Sequence, residues 1–335
     1  VNLANLTYDY VTVQGSNTGT AADTLALTGM AANGTINVAA NGVLAAGNDL
    51  YTVTLADATG AADVLNMVVT SANVAGPGLS AGLNAGTITA TGVETYNVSS
   101  TTADADGSAG NTLAANEGTA GVLTTINVSG NTALTLTSNA TAVTTVDASA
   151  ATGALTYTAN DGTTTVTGGA GADILTGAGN SDVLIGGAGN DQLTGDNLTT
   201  LTGGEGNDTF FMNMPTNVNS YSTITDLSAG DVIDFRPGAD AAAGTGTIAF
   251  QSAAVVLAGT AVFQDYANAA VNTLGTDGDD VAWFQFGGDT YIVQSGNGVA
   301  GNDFVNGQDS IIKITGAVDL STASYNQDAG TLEIA

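Results

Sequence analysis

Between Thr167 and Phe211, glycine and aspartate return together at a fixed interval. The hexapeptides GGAGAD at 168–173, GGAGND at 186–191 and GGEGND at 203–208 each end in a carboxylate, and an apolar residue follows two places on, at Leu175, Leu193 and Phe210. Aspartate oxygens and the carbonyls of a tight turn are hard ligands, and glycine both adopts φ > 0 and leaves room where a side chain would clash with an ion. The chemistry is oxygen coordination of Ca2+ rather than of magnesium. The candidate metal-site residues are Gly169, Gly171 and Asp173, then Gly187, Gly189 and Asp191, then Gly204, Gly206 and Asp208. Asp182 joins them from a poorer unit, in which Ala178 and Asn180 replace glycines.

The repeat spacing says how these residues are positioned. Successive units read NDGTTTVT, GGAGADILT, GAGNSDVLI, GGAGNDQLT, the shorter GDNLTTLT, and GGEGNDTFF, which puts a buried apolar residue at Val166, Leu175, Leu184, Leu193, Leu201 and Phe210. Two nonapeptides make one coil of a parallel β-roll, so every second turn falls on a common edge. Asp173 and Asp191 share one edge, and the short unit brings Asp208 to the same edge one place early. On the other edge Asp182 stands between the uncharged Thr164 and Thr200. Two good sites are expected on the first edge and at most one weaker site on the second.

The roll is one part of an all-β chain. Before it, LTTINVSG and VTTVDASA centre on Ile126 and Val146, with alternating LTLT and LTYT between and after them, as in single coils of a parallel β-solenoid. Exposed Thr favours extended backbone and offers hydroxyl ladders between stacked strands. The expected organisation is a β-rich surface domain at 1–120, solenoid coils at 121–166, the roll at 167–211 and a β-rich C-terminal cap at 212–335. Helix signals are weak, which predicts one or two short helices at most. The clusters Asp226, Asp231 and Asp234, then Asp277, Asp279 and Asp280, and the pair Asp104 and Asp106 read either as solvated turns or as further calcium sites.

Composition sets the exclusions. Thirty-one acidic residues face two basic ones, Arg236 and Lys313, and there is no His, for a formal net charge of −29. A compact chain so charged repels itself unless cations bind. Two basic side chains do not make the phosphate-neutralising patch of a nucleic-acid binder. Without Cys or His, ordinary zinc ligation is excluded and no disulfide framework exists; bound metal takes the place of that staple. No apolar run is long enough for a membrane-spanning helix, so none is expected. No basic-then-apolar leader is visible at the start, and the absence of an initial Met suggests a processed or excised piece.

The three clean hexapeptides resemble the nonapeptides of the repeats-in-toxin (RTX) superfamily, whose members leave Gram-negative cells by type I secretion. The flanking VETYNVSS, LTTINVSG and VTTVDASA, with VAWFQFGGDTYIV, DSIIKITGAVDL and TLEIA at the end, are similar to the calcium-dependent surface-layer proteins of the Caulobacter type. That likeness covers about two thirds of the chain. It implies export unfolded in low calcium, folding outside, an uncleaved C-terminal secretion signal and a place at the cell surface. It also implies homo-oligomer or two-dimensional lattice contacts and an anchor on lipopolysaccharide or polysaccharide; an RTX adhesin or biofilm matrix protein is the alternative. RTX segments also accompany proteases and hydrolases, but HExxH and a Ser–His pair both need histidine, so no enzyme is expected. Calcium anomalous scattering tests the edge assignment: ions of equal occupancy along both edges contradict it.

Overall fold

The computed structural model describes residues 10–15, 24–40, 50–71, 82–102, 110–118, 121–179, 181–211, 217–235, 249–274, 280–296, 303–326 and 330–335. Asp104, Asp106, Asp277, Asp279 and Asn180 lie outside them. The chain divides into two compact units, Val1–Ile174 and Leu175–Ala335.

The first unit carries β1 (Tyr10–Gly15), β2 (Thr24–Met30), β3 (Thr35–Ala40), β4 (Leu50–Leu55), β5 (Val64–Ser71), β6 (Asn84–Ala90) and β7 (Thr95–Thr102). It continues with β8 (Asn111–Glu117), β9 (Thr125–Gly130), β10 (Leu134–Thr137), β11 (Thr145–Ala151), β12 (Leu155–Thr158) and β13 (Thr165–Thr167); the division falls within β14 (Ile174–Thr176). Odd strands from β1 to β13 pair in order in one parallel sheet, and even strands from β2 to β12 in another. Each coil therefore gives one strand to each sheet, and alternating side chains from both fill the space between. Leu134 and Leu136 of β10 and Val146 and Ala148 of β11 are all buried. The Tyr96 hydroxyl, on β7, donates to the Asn116 carbonyl of β8 at 2.8 Å, and so spans the two sheets.

Parallel pairing already begins at β1. Val64 pairs with Thr95, Thr95 with Thr125 and Thr125 with Thr145, so the coil keeps nearly one length over the first two steps and loses a third of it at the last. The longer early coils carry variable connections, which hide the period that the shorter coils display. Stacking adds a polar ladder outside the core. Asn127 donates to Asn97 Oδ1 at 2.8 Å, Asn97 to Asn66 Oδ1 at 2.9 Å, and Asn66 to the Asn33 carbonyl at 2.8 Å. Hydroxyl pairs of the expected kind join Thr70 to Thr101 and Thr202 to Thr225.

The second unit holds β15 (Val183–Ala188), β16 (Gln192–Thr194), β17 (Thr200–Glu205), β18 (Thr209–Phe211), β19 (Ser222–Ile224), β20 (Val232–Asp234), α1 (Phe263–Thr273), β21 (Val281–Phe286), β22 (Asp289–Gln294), β23 (Ser310–Ile314), β24 (Ser324–Asn326) and β25 (Thr331–Glu333). Strands β15, β17, β19 and β23 pair in parallel, after which β22 and β21 follow antiparallel. The companion sheet runs β16, β18, β20 and then turns antiparallel at β25 and β24. Leu184, Leu193, Leu201, Phe210, Ile224 and Ile233 are all fully buried, which carries the apolar series of the repeats onward through two further strands.

The cap has a larger-residue core. Phe263, Tyr266, Ala267, Ala270, Val271 and Leu274 of and beside α1 recur at helical spacing and pack on Phe284, Tyr291 and Val293. Asp265 accepts from the Val262 N–H at 2.9 Å and holds the helix start. The outer edge of β21 is also engaged. The segment around Phe250 and Val255 bridges to Val281 and Phe284, with Val281 N donating to the Ala249 carbonyl and Gln251 N and Val255 N donating to the Val281 and Trp283 carbonyls.

In calcium-saturated protein, Leu193→Ala should lower unfolding stability by about 2–5 kcal/mol, the cost of a cavity in a closed core. Ile174→Ala, at a residue 41% exposed, should cost far less. Urea denaturation followed by circular dichroism compares the two.

Candidate metal centre

Asp173 sits where the turn after β13 enters β14, and it is fully buried. Its Oδ2 accepts from the Gly169 N–H at 2.6 Å and its Oδ1 from Leu155 N–H, one coil earlier, also at 2.6 Å. The carboxylate thus ties its own turn to the preceding coil. Gly169 and Gly171 serve here by close approach: a Cβ on Gly169 would stand 2.8 Å from the Ala148 carbonyl, and one on Gly171 2.5 Å from the Ala154 nitrogen. Positive φ is not what these two positions require.

In the second unit the same device repeats with left-handed glycines, at φ 114° and 121° for Gly187 and Gly189 and 104° and 136° for Gly204 and Gly206. Asp208 Oδ1 accepts from Asp191 N–H at 2.9 Å, and Asp231 Oδ1 accepts from Asp208 N–H at 2.9 Å. All three aspartates are buried. The first glycine of each hexapeptide lies beneath the carboxylate: a Cβ on Gly186 would come 2.7 Å from Asp191 Cγ, and one on Gly203 2.8 Å from Asp208 Cγ. Asn190 Oδ1 accepts from Asn207 N–H and completes the stacking of these turns.

Asp182 is on the opposite edge, as its spacing requires, and is fully buried. Its Oδ2 accepts from Ala178 and Gly179 N–H groups at 3.2 Å each. Its register neighbour is Thr199 rather than Thr200, because Val183 pairs with Thr200 across the short unit. This edge also places two non-glycine residues in the left-handed region, Ser181 at φ 70° and Leu198 at φ 59°. Substituting side chains there carries strain that the glycine-rich edge avoids.

Two residues extend the first edge beyond the clean repeats. Asp231 continues the ladder, and Asp226 accepts from the Gly203 and Gly204 N–H groups at 2.9 Å each. The segment DLSAGD at 226–231 aligns with GGEGND at 203–208, so it is a repeat with its leading glycines lost. Its signal was the closing aspartate with an apolar residue two places on, Asp231 and Ile233, masked by Asp226 and Leu227 in glycine positions. Asp280 does different work, accepting from Ala249 N–H at 2.8 Å.

Burial pushes the Asp173 carboxyl above the usual carboxylate range, against the opposing hydrogen bonds from Leu155 and Gly169. Burial likewise raises Asp208; the Asp191 N–H opposes it, and the charges of Asp231 and Asp226 push it further up. A column of buried carboxylates that repel one another, beside glycine turns whose carbonyls are oxygen donors, fits a hard divalent cation. No group of three or more Asp, Glu, His or Cys side chains converges among the described residues. A calcium ion held at these turns would take one carboxylate per coil, with backbone oxygens and water for the rest.

The family model for the RTX calcium-binding nonapeptide repeat (4 copies) matches residues 158–193 and 199–211. This segment is an RTX-type calcium-binding repeat. Calcium is its cofactor. No curated protein matches the chain. The RTX match ends at residue 211, whereas the hydrogen-bonded aspartates run on to Asp231. No helix among the described residues is long and apolar enough to cross a membrane.

Because the raised carboxyls hold protons in the folded, calcium-free chain that the unfolded chain releases, their stabilising contribution is complete below the usual carboxylate range and is lost as pH rises through the raised values. In calcium-free buffer the RTX segment should therefore melt at progressively lower temperature as pH climbs above about 4. Saturating calcium should flatten or reverse the trend. Thermal melts by circular dichroism at stepped pH read both; a calcium-free melting temperature that climbs over the same window contradicts the assignment.

Proposed function

We propose that the chain is a structural protein of the cell exterior that folds when calcium reaches its RTX repeats, of the RTX adhesin or biofilm matrix kind. The observation that carries this reading is the ladder Asp191, Asp208 and Asp231 in the second unit, whose carboxylates, like that of Asp173 in the first, are buried in a chain that holds only two basic side chains. Bound calcium supplies positive charge to that ladder. Gly169 and Gly171, Gly187 and Gly189, and Gly204 and Gly206 keep the turns close enough for their carbonyls to face the ion, while the aspartates fix one coil to the next. Asp182 provides a weaker site on the other edge.

Binding restricted to the folded state adds about 2.7 kcal/mol per site at a hundredfold excess over the dissociation constant. Several such sites make calcium concentration a folding switch. A chain with a net charge of −29 stays expanded where calcium is scarce and compacts where it is plentiful, which suits type I export followed by folding outside. Secretion, a C-terminal export signal and a surface location follow from this reading. Catalysis is not part of it, since neither HExxH nor a Ser–His pair can be built from a sequence without histidine.

A surface-layer lattice is the second reading, and what favours it is the likeness of the segments forming β21, β22 and β23 to Caulobacter-type proteins. In that case copies of the chain meet one another through calcium, and anchoring to an acidic lipopolysaccharide uses bridging ions or neutral sugar contacts. A calcium titration at constant high ionic strength, followed by light scattering for assembly and circular dichroism for folding, tests both. Folding that requires calcium supports the shared reading, and folding that is complete after chelation overturns it. Assembly at calcium levels above those for folding, with a periodic array in negatively stained envelopes, selects the lattice; abundant surface protein without periodicity selects the adhesin or matrix protein.

A further inference from the structure

We propose that the loop 56–63 and Glu94 form a separate calcium site in the first unit, outside the RTX repeat. The loop joins β4 to β5 and ends in Asp63, which is 7% exposed. Asp63 Oδ2 is buried and has no hydrogen-bond partner among the described residues. A buried carboxylate oxygen without a donor or a counter-charge is strongly disfavoured, so the fold presents an oxygen prepared for a ligand of positive charge.

The second carboxylate comes from the next coil. Val64 pairs with Thr95, so Asp63 and Glu94 are register neighbours on one edge, and Glu94 Oε2 accepts from Asp63 N–H at 2.8 Å. Backbone bonds from Glu94 N and Thr95 N to the Asp63 carbonyl, both 3.1 Å, lock the two residues together. The following coils carry Thr124 and Thr144 at this position, which confines the charge pair to a single interval. No Lys, Arg or His occurs before Arg236, so no side chain of the first unit can neutralise it.

The loop is shaped around this point. Asp57 Oδ1 accepts from the Thr59 N–H at 3.0 Å and the Thr59 hydroxyl at 2.6 Å, which folds the loop on itself. Gly60 lies directly against the buried carboxylate: a Cβ there would stand 3.2 Å from Asp63 Oδ2 and 3.3 Å from Oδ1. Gly92, at φ 74°, stacks on the same loop, where a Cβ would reach Ala58 at 3.0 Å. Two carboxylates, with loop carbonyls and water for the remaining positions, make an all-oxygen, irregular donor set that suits calcium rather than the strict octahedron of magnesium. The segment ADATGAADVL lacks the double glycine of the nonapeptides and falls outside residues 158–211.

The test is calorimetric titration of the full chain with calcium. Asp63→Asn and Glu94→Gln should each lower the stoichiometry by one ion, while Asp208→Asn reports independently on the RTX ladder. Unchanged stoichiometry in both first-unit variants overturns the proposal, as does Asp63→Asn that raises calcium-free stability without losing an ion, the signature of a buried proton-sharing pair. Calcium anomalous scattering from crystals of the unaltered chain decides the matter even where a variant misfolds. A peak about 2.3–2.6 Å from Asp63 Oδ2 is expected; peaks along the RTX ladder with none at Asp63 overturn it.

Discussion

A buried aspartate that accepts the backbone N–H of the coil before it is the contact on which the rest of the roll is arranged. Asp173 does this to Leu155, Asp208 to Asp191 and Asp231 to Asp208. A carboxylate in that position replaces a carbonyl as hydrogen-bond acceptor but brings a full charge with it into the fold. The glycines are consequences: Gly186 and Gly203 must lack a Cβ because the carboxylate lies over them, and the next pair must bend left-handed to bring their carbonyls round. The short coil is also a consequence, since a turn closed by one side chain needs few residues. Leu184 then falls into register with Leu201 in one sheet and Leu193 with Phe210 in the other, and all four are buried.

That arrangement sets the ion and the backbone to stabilise each other. Hydrogen bonds from N–H groups hold the carboxylates in place, burial opposes the ionisation of Asp173 and Asp208, and the charges of Asp231 and Asp226 oppose it further at Asp208. The polypeptide has almost no cation with which to settle the balance internally. Of its two basic side chains, Lys313 pairs with Asp289 at 2.7 Å in the cap. Charge neutralisation of the ladder is therefore left to solutes, and the fold responds to what the surrounding medium contains.

How much of this could be read in advance depended on how rigidly each part repeats. The nonapeptides were legible because glycine, aspartate and an apolar residue recur at a nearly constant spacing, although Gly187 and Gly204 fall at the ends of β15 and β17 rather than in the turns that follow. Asp231 was less legible because Asp226 and Leu227 hide the repeat from a glycine-based pattern. The earliest coils were hidden for a different reason: connections of varying length between β3 and β8 blur a period that the pairing of Val64 with Thr95 reveals at once. Burial of an unpartnered oxygen at Asp63 depends on how a neighbouring coil places Glu94, and no local motif records that.

The segment bridging the outer edge of β21 has a further consequence. A parallel sheet ending in an open strand offers a row of free N–H and C=O groups, which another polypeptide can extend as in amyloid growth. Here the final hairpin reverses strand direction, and Ala249, Gln251 and Val255 already occupy backbone groups on its far side. At this margin the sheet is a poorer template, since Val281 and Trp283 already have partners there. A contact made at this edge is left to side chains rather than to backbone pairing, and strand-by-strand growth into fibrils is disfavoured there.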